Sequence, residues 1–66
     1  MTASLTRAER SVLELLASGR AAKQAARDLS VTLTTVRTHI AAAKRKTGAR
    51  TLEQLIALFV EADNDL

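Results

Sequence analysis

Apolar residues recur at helical spacing in the first segment of the chain. Its inner side is formed by Glu9, Val12, Leu13 and Leu16. A spacing of three and four residues is typical of an amphipathic helix with one buried face. Thr6 and Glu9 form a capping box at its start, and Gly19 supplies a left-handed end. The pattern predicts a first helix from about Arg7 to Ser18.

A second, shorter helix is predicted from about Ala22 to Leu29. Its inner side is formed by Ala22, Ala25, Ala26 and Leu29. Its start is weak because Ala21 stands where a Ser or Thr cap is expected, a replacement that typically costs about 1 kcal/mol. Only Ser30, Val31 and Thr32 separate this helix from the next one.

The third predicted helix, from about Leu33 to Thr47, has two different sides. Thr32 caps its start and Gly48 ends it. The side predicted to face inward carries Leu33, Val36, Ile40, Ala43 and Thr47. The opposite side carries Thr34, Arg37, Thr38, Ala41 and Arg45. The outward side is therefore basic and built largely from small residues.

Thr51 caps a fourth predicted helix of about residues 52–62, where Gln54 completes another capping box. One apolar face of this helix consists of Leu52, Ile56, Phe59 and Val60, and a second consists of Leu55, Leu58 and Ala62. We expect the first face to close the core and the second to form a dimer interface, since an exposed apolar strip usually marks an association site. The alternative is that all these residues pack into the core of one chain.

The composition fits a small all-α fold with four helices and a single domain over residues 1–66. Proline and cysteine are absent, glycine occurs twice, and no segment alternates as a strand does. A chain of this size buries only about 60% of its unfolded surface, so we expect modest stability. The opening at Met1 and the irregular acidic end favour a complete short protein over an excised fragment.

Charge is divided unevenly along the chain. All ten Lys and Arg residues lie in residues 1–50 with three acidic residues, a net charge of +7, whereas residues 51–66 carry four acidic residues and no basic one. This asymmetry is typical of a protein that faces a polyanion on one side, although chance segregation on a solvated surface is the alternative. The chain lacks a secretory signal and a long apolar run, so we expect a soluble cytoplasmic protein without a membrane partner.

Two short helices joined by a three-residue turn, the second with a basic outer side, match a helix-turn-helix arrangement. In that arrangement the second helix enters the major groove of DNA, with its N-terminal half nearest the base edges. Arg37 has a planar fork that can bind guanine O6 and N7, and the small Ala41 permits close approach to the groove. The predicted base-reading residues are Thr34, Arg37, Thr38 and Ala41.

Phosphate contacts are expected from side chains around this helix. They are Lys23, Arg27, Thr35, His39, Lys44, Arg45, Lys46 and Arg50. The basic run of residues 44–46, taken alone, is equally typical of a solvated face. Its position on a candidate recognition helix favours phosphate binding.

The single histidine, His39, does not indicate an enzyme or a metal centre. No cysteine or second histidine is present to share a metal ion, and no nucleophile is arranged with His39 in a triad. A structural or phosphate-binding role fits it better. We predict that the protein is not an enzyme and uses no metal, cofactor or small-molecule ligand.

The motifs resemble the LuxR/FixJ (GerE-like) family of DNA-binding domains from Leu5 to about Leu58. The matching residues at the start are Leu5, Thr6, Glu9, Val12, Leu13, Leu16, Ala17 and Gly19. The second helix and turn add Lys23, Ala26, Leu29 and Val31. The strongest block is Thr35-Val36-Arg37-Thr38-His39, and Lys46 and Gly48 match the end of the recognition helix. In order and at this spacing, these fragments together are a strong signal.

The chain also departs from the family pattern. Alanine replaces a usual Arg at residue 8, a capping Ser or Thr at residue 21 and a usual Asn at residue 22. Ala25, Ala43 and Thr47 replace larger apolar residues, and Leu52 replaces a usual Arg. Each buried methylene that is lost is worth about 0.8 kcal/mol, so we expect a thinner core than the family norm.

The resemblance implies a bacterial transcription regulator that binds double-stranded DNA, associates with the nucleoid and dimerises through its last helix. Family members normally join this domain to a receiver or ligand-sensing domain, and the sequence carries neither. The rival interpretation is a protein-interaction module that uses the same fold to bind RNA polymerase or another regulator. Steep weakening of binding by salt distinguishes DNA binding from this alternative.

Overall fold

The computed structural model describes residues 4–64, and of Asp63 and Asn64 only the backbone. Four helices occur in this range and no strand, so the prediction of an all-α fold is confirmed. They are α1 (Arg7–Ala17), α2 (Ala22–Leu29), α3 (Leu33–Thr47) and α4 (Leu52–Asn64). The predicted bounds of α2 and α3 match the structure. α1 ends one residue earlier than expected and α4 ends two residues later.

The start of α1 is fixed by the predicted capping box. The Glu9 N–H donates to Thr6 Oγ1 at 3.1 Å, and the Thr6 N–H donates to Glu9 Oε1 at 2.9 Å. These reciprocal bonds satisfy two backbone donors at the helix start. After α1, Gly19 adopts a φ of 101°, a conformation that glycine tolerates better than other residues. The predicted cap at the start of α1 and the positive φ at Gly19 are therefore confirmed, although the helix ends at Ala17 rather than at Ser18.

The caps at the starts of α2 and α4 are less regular than that of α1. Ala21, the N-cap of α2, has no side-chain acceptor for the backbone N–H groups of the first turn. Only the second half of a capping box is present, in which the Gln24 side chain accepts a bond from the Ala21 N–H at 3.1 Å. At α4, the Gln54 N–H donates to Thr51 Oγ1 at 3.0 Å, as expected. However, the Gln54 side chain accepts from the Arg50 N–H at 2.8 Å, one residue before the cap. The predicted capping box at α4 is thus half formed, and the Gln54 side chain instead bonds to the backbone of the α3–α4 connection.

Two adjoining clusters of buried side chains form the core. The first contains Val12, Leu16, Ala25, Ala26 and Val36 and joins α1, α2 and α3. The second contains Leu13, Ala43, Ala49, Leu55 and Phe59 and joins α1, α3 and α4. Ile40 and Leu52 pack against both clusters. α3 is therefore held from behind by all three of the other helices, which leaves its front side to solvent.

The packing of α4 corrects the predicted division of its apolar faces. Leu55 was expected at a dimer interface, but its side chain is fully buried in the second cluster beside Phe59. Val60 was expected in the core, but it is exposed. The helical spacing of apolar residues gives the angular order of side chains around α4, but it does not show which direction faces the core. Because α4 packs against both α1 and α3, its buried side is centred on Leu55 and Phe59.

Candidate nucleic-acid interface

The connection between α2 and α3 is held by local hydrogen bonds. The N–H groups of Ser30 and Val31 donate to the carbonyls of Arg27 and Ala26 at 3.1 and 2.9 Å. Ser30 has a φ of 58°, the left-handed conformation that ends α2. Thr32 then caps α3 by accepting from the Thr35 N–H at 3.1 Å. This turn fixes the direction in which α3 leaves α2.

The four predicted base-reading residues all lie exposed on the outward side of α3. They are Thr34, Arg37, Thr38 and Ala41. Val36, on the opposite side, is completely buried. The Thr38 hydroxyl donates to the Thr34 carbonyl at 3.0 Å, so its oxygen remains able to accept a bond from outside. The Arg37 guanidinium has no ion pair or hydrogen bond with any side chain or backbone group that the structure describes.

The predicted phosphate-binding cations are distributed around this side. Lys23 and Arg27 project from α2, Lys44 and Arg45 lie in the last turns of α3, and Arg50 follows α3. All are exposed except the half-buried Lys44, and none has a side-chain partner in the described part of the chain. Arg20 differs, since it pairs with Asp28 at 3.0 Å. The structure thus leaves five positive charges without internal balance near α3.

Lys46 has a different surrounding from its basic neighbours. Its Nζ lies 2.7 Å from Glu9 Oε1, which joins the last turn of α3 to the first turn of α1. The Glu9 side chain is only 6% exposed, and the Lys46 side chain is 33% exposed. The positive charge of Lys46 is therefore balanced by Glu9 inside the fold, and we do not retain Lys46 among the proposed phosphate contacts.

The ion pair also changes the acidity of Glu9. The hydrogen bond from Lys46 lowers the pKa of Glu9 below its ordinary value, and the bond from the Thr6 N–H acts in the same direction. Burial opposes both because it disfavours a charged carboxylate. Glu9 is consequently held in its charged form, and the capping box of α1 and the tie to α3 depend on the same carboxylate.

Thr35 and His39 lie half-buried on the flank of α3 rather than on its outward side. The Thr35 hydroxyl accepts a bond from the Thr32 hydroxyl at 3.0 Å, within the cap of α3. His39 lines a surface pocket between α3, the N-terminal half of α1 and the end of α2. Both residues are placed beside the base-reading side and not on it.

The pairing of Glu9 with Lys46 was not predicted from the sequence. The signal was present, because Glu9 shares the inner side of α1 with three apolar residues. A buried carboxylate needs a partner, and a cation from another helix is a common one. Which of the cations supplies it depends on how α1 packs against α3.

Among the side chains that the structure describes, residues 4–62, no group of three is suited to hold a metal ion. No helix within residues 4–64 is long and apolar enough to cross a membrane.

Comparison with known proteins agrees with this geometry. The family model described as bacterial regulatory proteins, luxR family, matches residues 3–59. Neither the curated proteins nor the solved structures contain a match to the chain. The family match covers all of α1, α2 and α3 and more than half of α4. The chain belongs to the luxR family of bacterial regulatory proteins, whose shared domain is a DNA-binding helix-turn-helix.

Proposed function

We propose that this protein regulates transcription by binding double-stranded DNA in a sequence-specific manner, with α3 in the major groove. The observation that carries the proposal is the outward side of α3, where Arg37 stands exposed without an internal partner. Membership of the family supports DNA binding by the domain. Insertion of α3 into the major groove, recognition of a particular base sequence and the roles of the individual residues are what we propose beyond family membership.

Arg37 is assigned the main base contact. An arginine fork can donate two parallel bonds to guanine O6 and N7, the commonest specific contact in the major groove. Thr34 and Thr38 lie on the same exposed side, one turn apart, and present hydroxyl groups and methyl groups to the bases. Ala41, one turn after Arg37, is short enough to let α3 approach the groove floor.

The unpartnered cations are assigned to the DNA backbone. Lys23 and Arg27 on α2 are expected to contact one strand, as the first helix of this motif crosses the backbone. Lys44, Arg45 and Arg50 are expected to contact phosphates near the C-terminal end of α3. Such contacts position the protein but carry no sequence information directly.

We further propose that two copies bind together through the flank of α4 that carries Leu58 and Ala62. Both residues are half-buried, whereas Leu55 is fully buried and takes no part, and Val60 is exposed on the opposite flank, about 160° around the helix. This apolar area is small, so we expect pairing to be weak in free solution and to be favoured on DNA. Half-sites about one helical turn apart would allow both copies of α3 to enter successive major grooves.

Selection of binding sites from random duplex DNA tests the proposed specificity. We expect enrichment of one motif with two related halves, and a steep fall in affinity as salt rises. The matched control is a duplex of the same composition with the motif scrambled. Equal affinity for both duplexes would overturn specific binding. Absence of duplex binding at low salt would favour the protein-interaction module that binds RNA polymerase or another regulator.

The substitution Leu58→Glu tests the dimer, because it adds a charge to the proposed contact flank of α4 and leaves the fully buried Leu55 in place, and thermal unfolding verifies that the fold is retained. We expect weaker binding to the two-half duplex and unchanged binding to a single half-site, measured by fluorescence anisotropy and sedimentation. Ala17→Glu adds the same charge at the exposed end of α1 and serves as the control. Equal effects of the two substitutions would contradict pairing through α4.

A further inference from the structure

A surface pocket of about 400 Å³ lies between α1 and the α2–α3 turn. It is lined by Arg7, Ala8, Ser11, Leu29, Val31 and His39. Its polar groups are a guanidinium, a hydroxyl and an imidazole, and no carboxylate is among the lining residues. The pocket therefore combines apolar side chains with groups that favour an anion.

The position of the pocket relates it to the base-reading side of α3. His39 follows Thr38 by about 100° around the helix, so the pocket opens at the flank of α3. Lys46 lies two turns after His39 on the same flank and is bonded to Glu9 in the first turn of α1. This ion pair holds the first turn of α1, which includes Arg7, against that flank.

Val31 contributes an exposed apolar surface to the pocket, so a ligand with both apolar and polar groups can fit there. It lies in the turn between α2 and α3 and is 39% exposed. Together with Leu29 and Ala8 it supplies the apolar part of the lining. Deoxyribose offers an apolar face to such a surface, and the phosphate next to it offers the negative charge that Arg7 can bind.

We propose that this pocket receives the sugar–phosphate backbone of bound DNA, so that α1 belongs to the DNA interface. Arg7 is the main phosphate contact, with Ser11 and His39 as further donors and Val31 against the sugar. The proposal rests on the proposed insertion of α3 into the major groove. The groove is bounded by two backbones, and one of them then runs along the flank that Arg7 and His39 share.

The test compares two arginines of the same helix. Arg7→Gln removes the proposed contact, whereas Arg10→Gln removes the same charge from a residue that lies over the Phe59 ring at 5.6 Å, toward α4. Binding to a random-sequence duplex is measured by fluorescence anisotropy across a range of salt concentrations. We expect Arg7→Gln to reduce the slope of log affinity against log salt by about 0.9. Arg10→Gln should change the slope much less.

A second pair of variants tests the pocket without changing the charge. Ala8→Leu fills the pocket from the first turn of α1, and Ala17→Leu adds the same atoms at the exposed last position of α1. We expect only Ala8→Leu to weaken DNA binding. Thermal unfolding of both variants verifies that the fold is retained.

Two results would overturn the proposal in distinguishable ways. If the unaltered protein binds duplex DNA and the two arginine variants have equal slopes, Arg7 acts only through net charge. The pocket then fits an acidic side chain of a protein partner better than DNA. If the unaltered protein does not bind duplex DNA at low salt, both the proposed function and this extension of it fail.

Discussion

The two polar surfaces of α3 differ in whether their groups have partners inside the chain. On the flank toward α1, Lys46 is bonded to Glu9 and Thr35 is bonded within the helix cap. On the outward side, Arg37 and Arg45 have no side-chain partner in the described residues. Adjacent cations of similar chemistry therefore serve different purposes. Lys46 stabilises the fold, and Arg45 remains available to a ligand, because only Lys46 faces a buried carboxylate.

Removal of Glu9 should give the largest change in stability. Glu9→Ala removes a capping bond and leaves Lys46 without its partner, so we expect a loss of about 2–4 kcal/mol in the free energy of unfolding. This loss of stability is smaller than for a fully buried ion pair because the Lys46 side chain is 33% exposed and solvent screens its charge. Urea unfolding measures it. Glu14→Ala, at an exposed site of α1, should change the stability by less than about 0.5 kcal/mol. Similar losses in both variants would contradict the role of the ion pair.

Arg37 should show the opposite behaviour, with a large effect on binding and little on folding. Arg37→Ala is expected to weaken binding to the selected site by about 1–3 kcal/mol and to relax the choice of one base pair. Its unfolding free energy should change by less than about 0.5 kcal/mol, because the side chain is exposed. Affinities for the selected duplex and its single-base variants provide the measurement. A uniform loss across all of them would make Arg37 a phosphate contact.

Arg45 and Lys46 are neighbours in α3 and should respond differently to the same substitution. Arg45→Ala should lower specific and non-specific affinity alike and flatten the salt dependence by about one unit. Lys46→Ala should flatten it less but lower the stability more, since it leaves Glu9 buried without its cation. Salt titrations and urea unfolding of the two variants provide a direct contrast. The same contrast predicts that Lys23→Ala and Lys44→Ala behave as Arg45→Ala does. Identical results for Arg45→Ala and Lys46→Ala would remove the distinction between the two surfaces.

A fall in pH should remove the stability that the charged Glu9 carboxylate contributes on the flank of α3. The pKa of Glu9 is lowered in the folded chain from its ordinary value of 4.5. A lowered folded-state pKa contributes stability above the unfolded-state pKa, and this contribution is lost as the pH falls through the folded-state pKa. The difference in unfolding free energy between the unaltered protein and Glu9→Gln should therefore be constant near neutral pH and shrink below about pH 4.5. A difference that does not change with pH would exclude this contribution of Glu9.

The smallest expected change concerns the turn that joins the two DNA-binding helices. Ser30 has a φ of 58°, where a side chain is strained and glycine is not. Ser30→Gly should raise the free energy of unfolding by up to about 1 kcal/mol, with no effect on sequence preference. Thermal unfolding measures the gain. Ser18→Gly provides a control, because Ser18 has a φ of −81° and gains nothing from glycine there. A loss of stability in Ser30→Gly would show that the turn is not strained.

Local signals predicted most of the helices because their causes lie within a few residues. Thr6, Thr32 and Thr51 bond to the backbone three residues later, and Gly19 and Gly48 adopt positive φ angles. These effects need no tertiary contact, so the starts of all four helices agree with the structure. The exposed side of α3 was also predicted, because Val36 and Ala43 define the buried side by helical spacing.

Long-range placements were predicted less well. The burial of Leu55 and Val60 was predicted the wrong way round, because the spacing of apolar residues in α4 does not reveal which neighbours α4 packs against. The bond of Gln54 to Arg50, rather than to the cap residue, depends on the path of the chain between α3 and α4. The dimer, the base contacts and the phosphate contacts remain predictions.

Capping, helical periodicity and motif spacing are local properties, so the order of residues is enough to define the helices, the two sides of α3 and the family. Which polar side chains find partners inside the fold depends instead on how the helices pack. Lys46 became a structural residue because α1 brings Glu9 within 2.7 Å of it, although the two are 37 positions apart. Arg37 remained available because no other helix covers its side of α3. A charge is assigned to folding or to binding by its neighbours in space, which the order of residues alone does not specify.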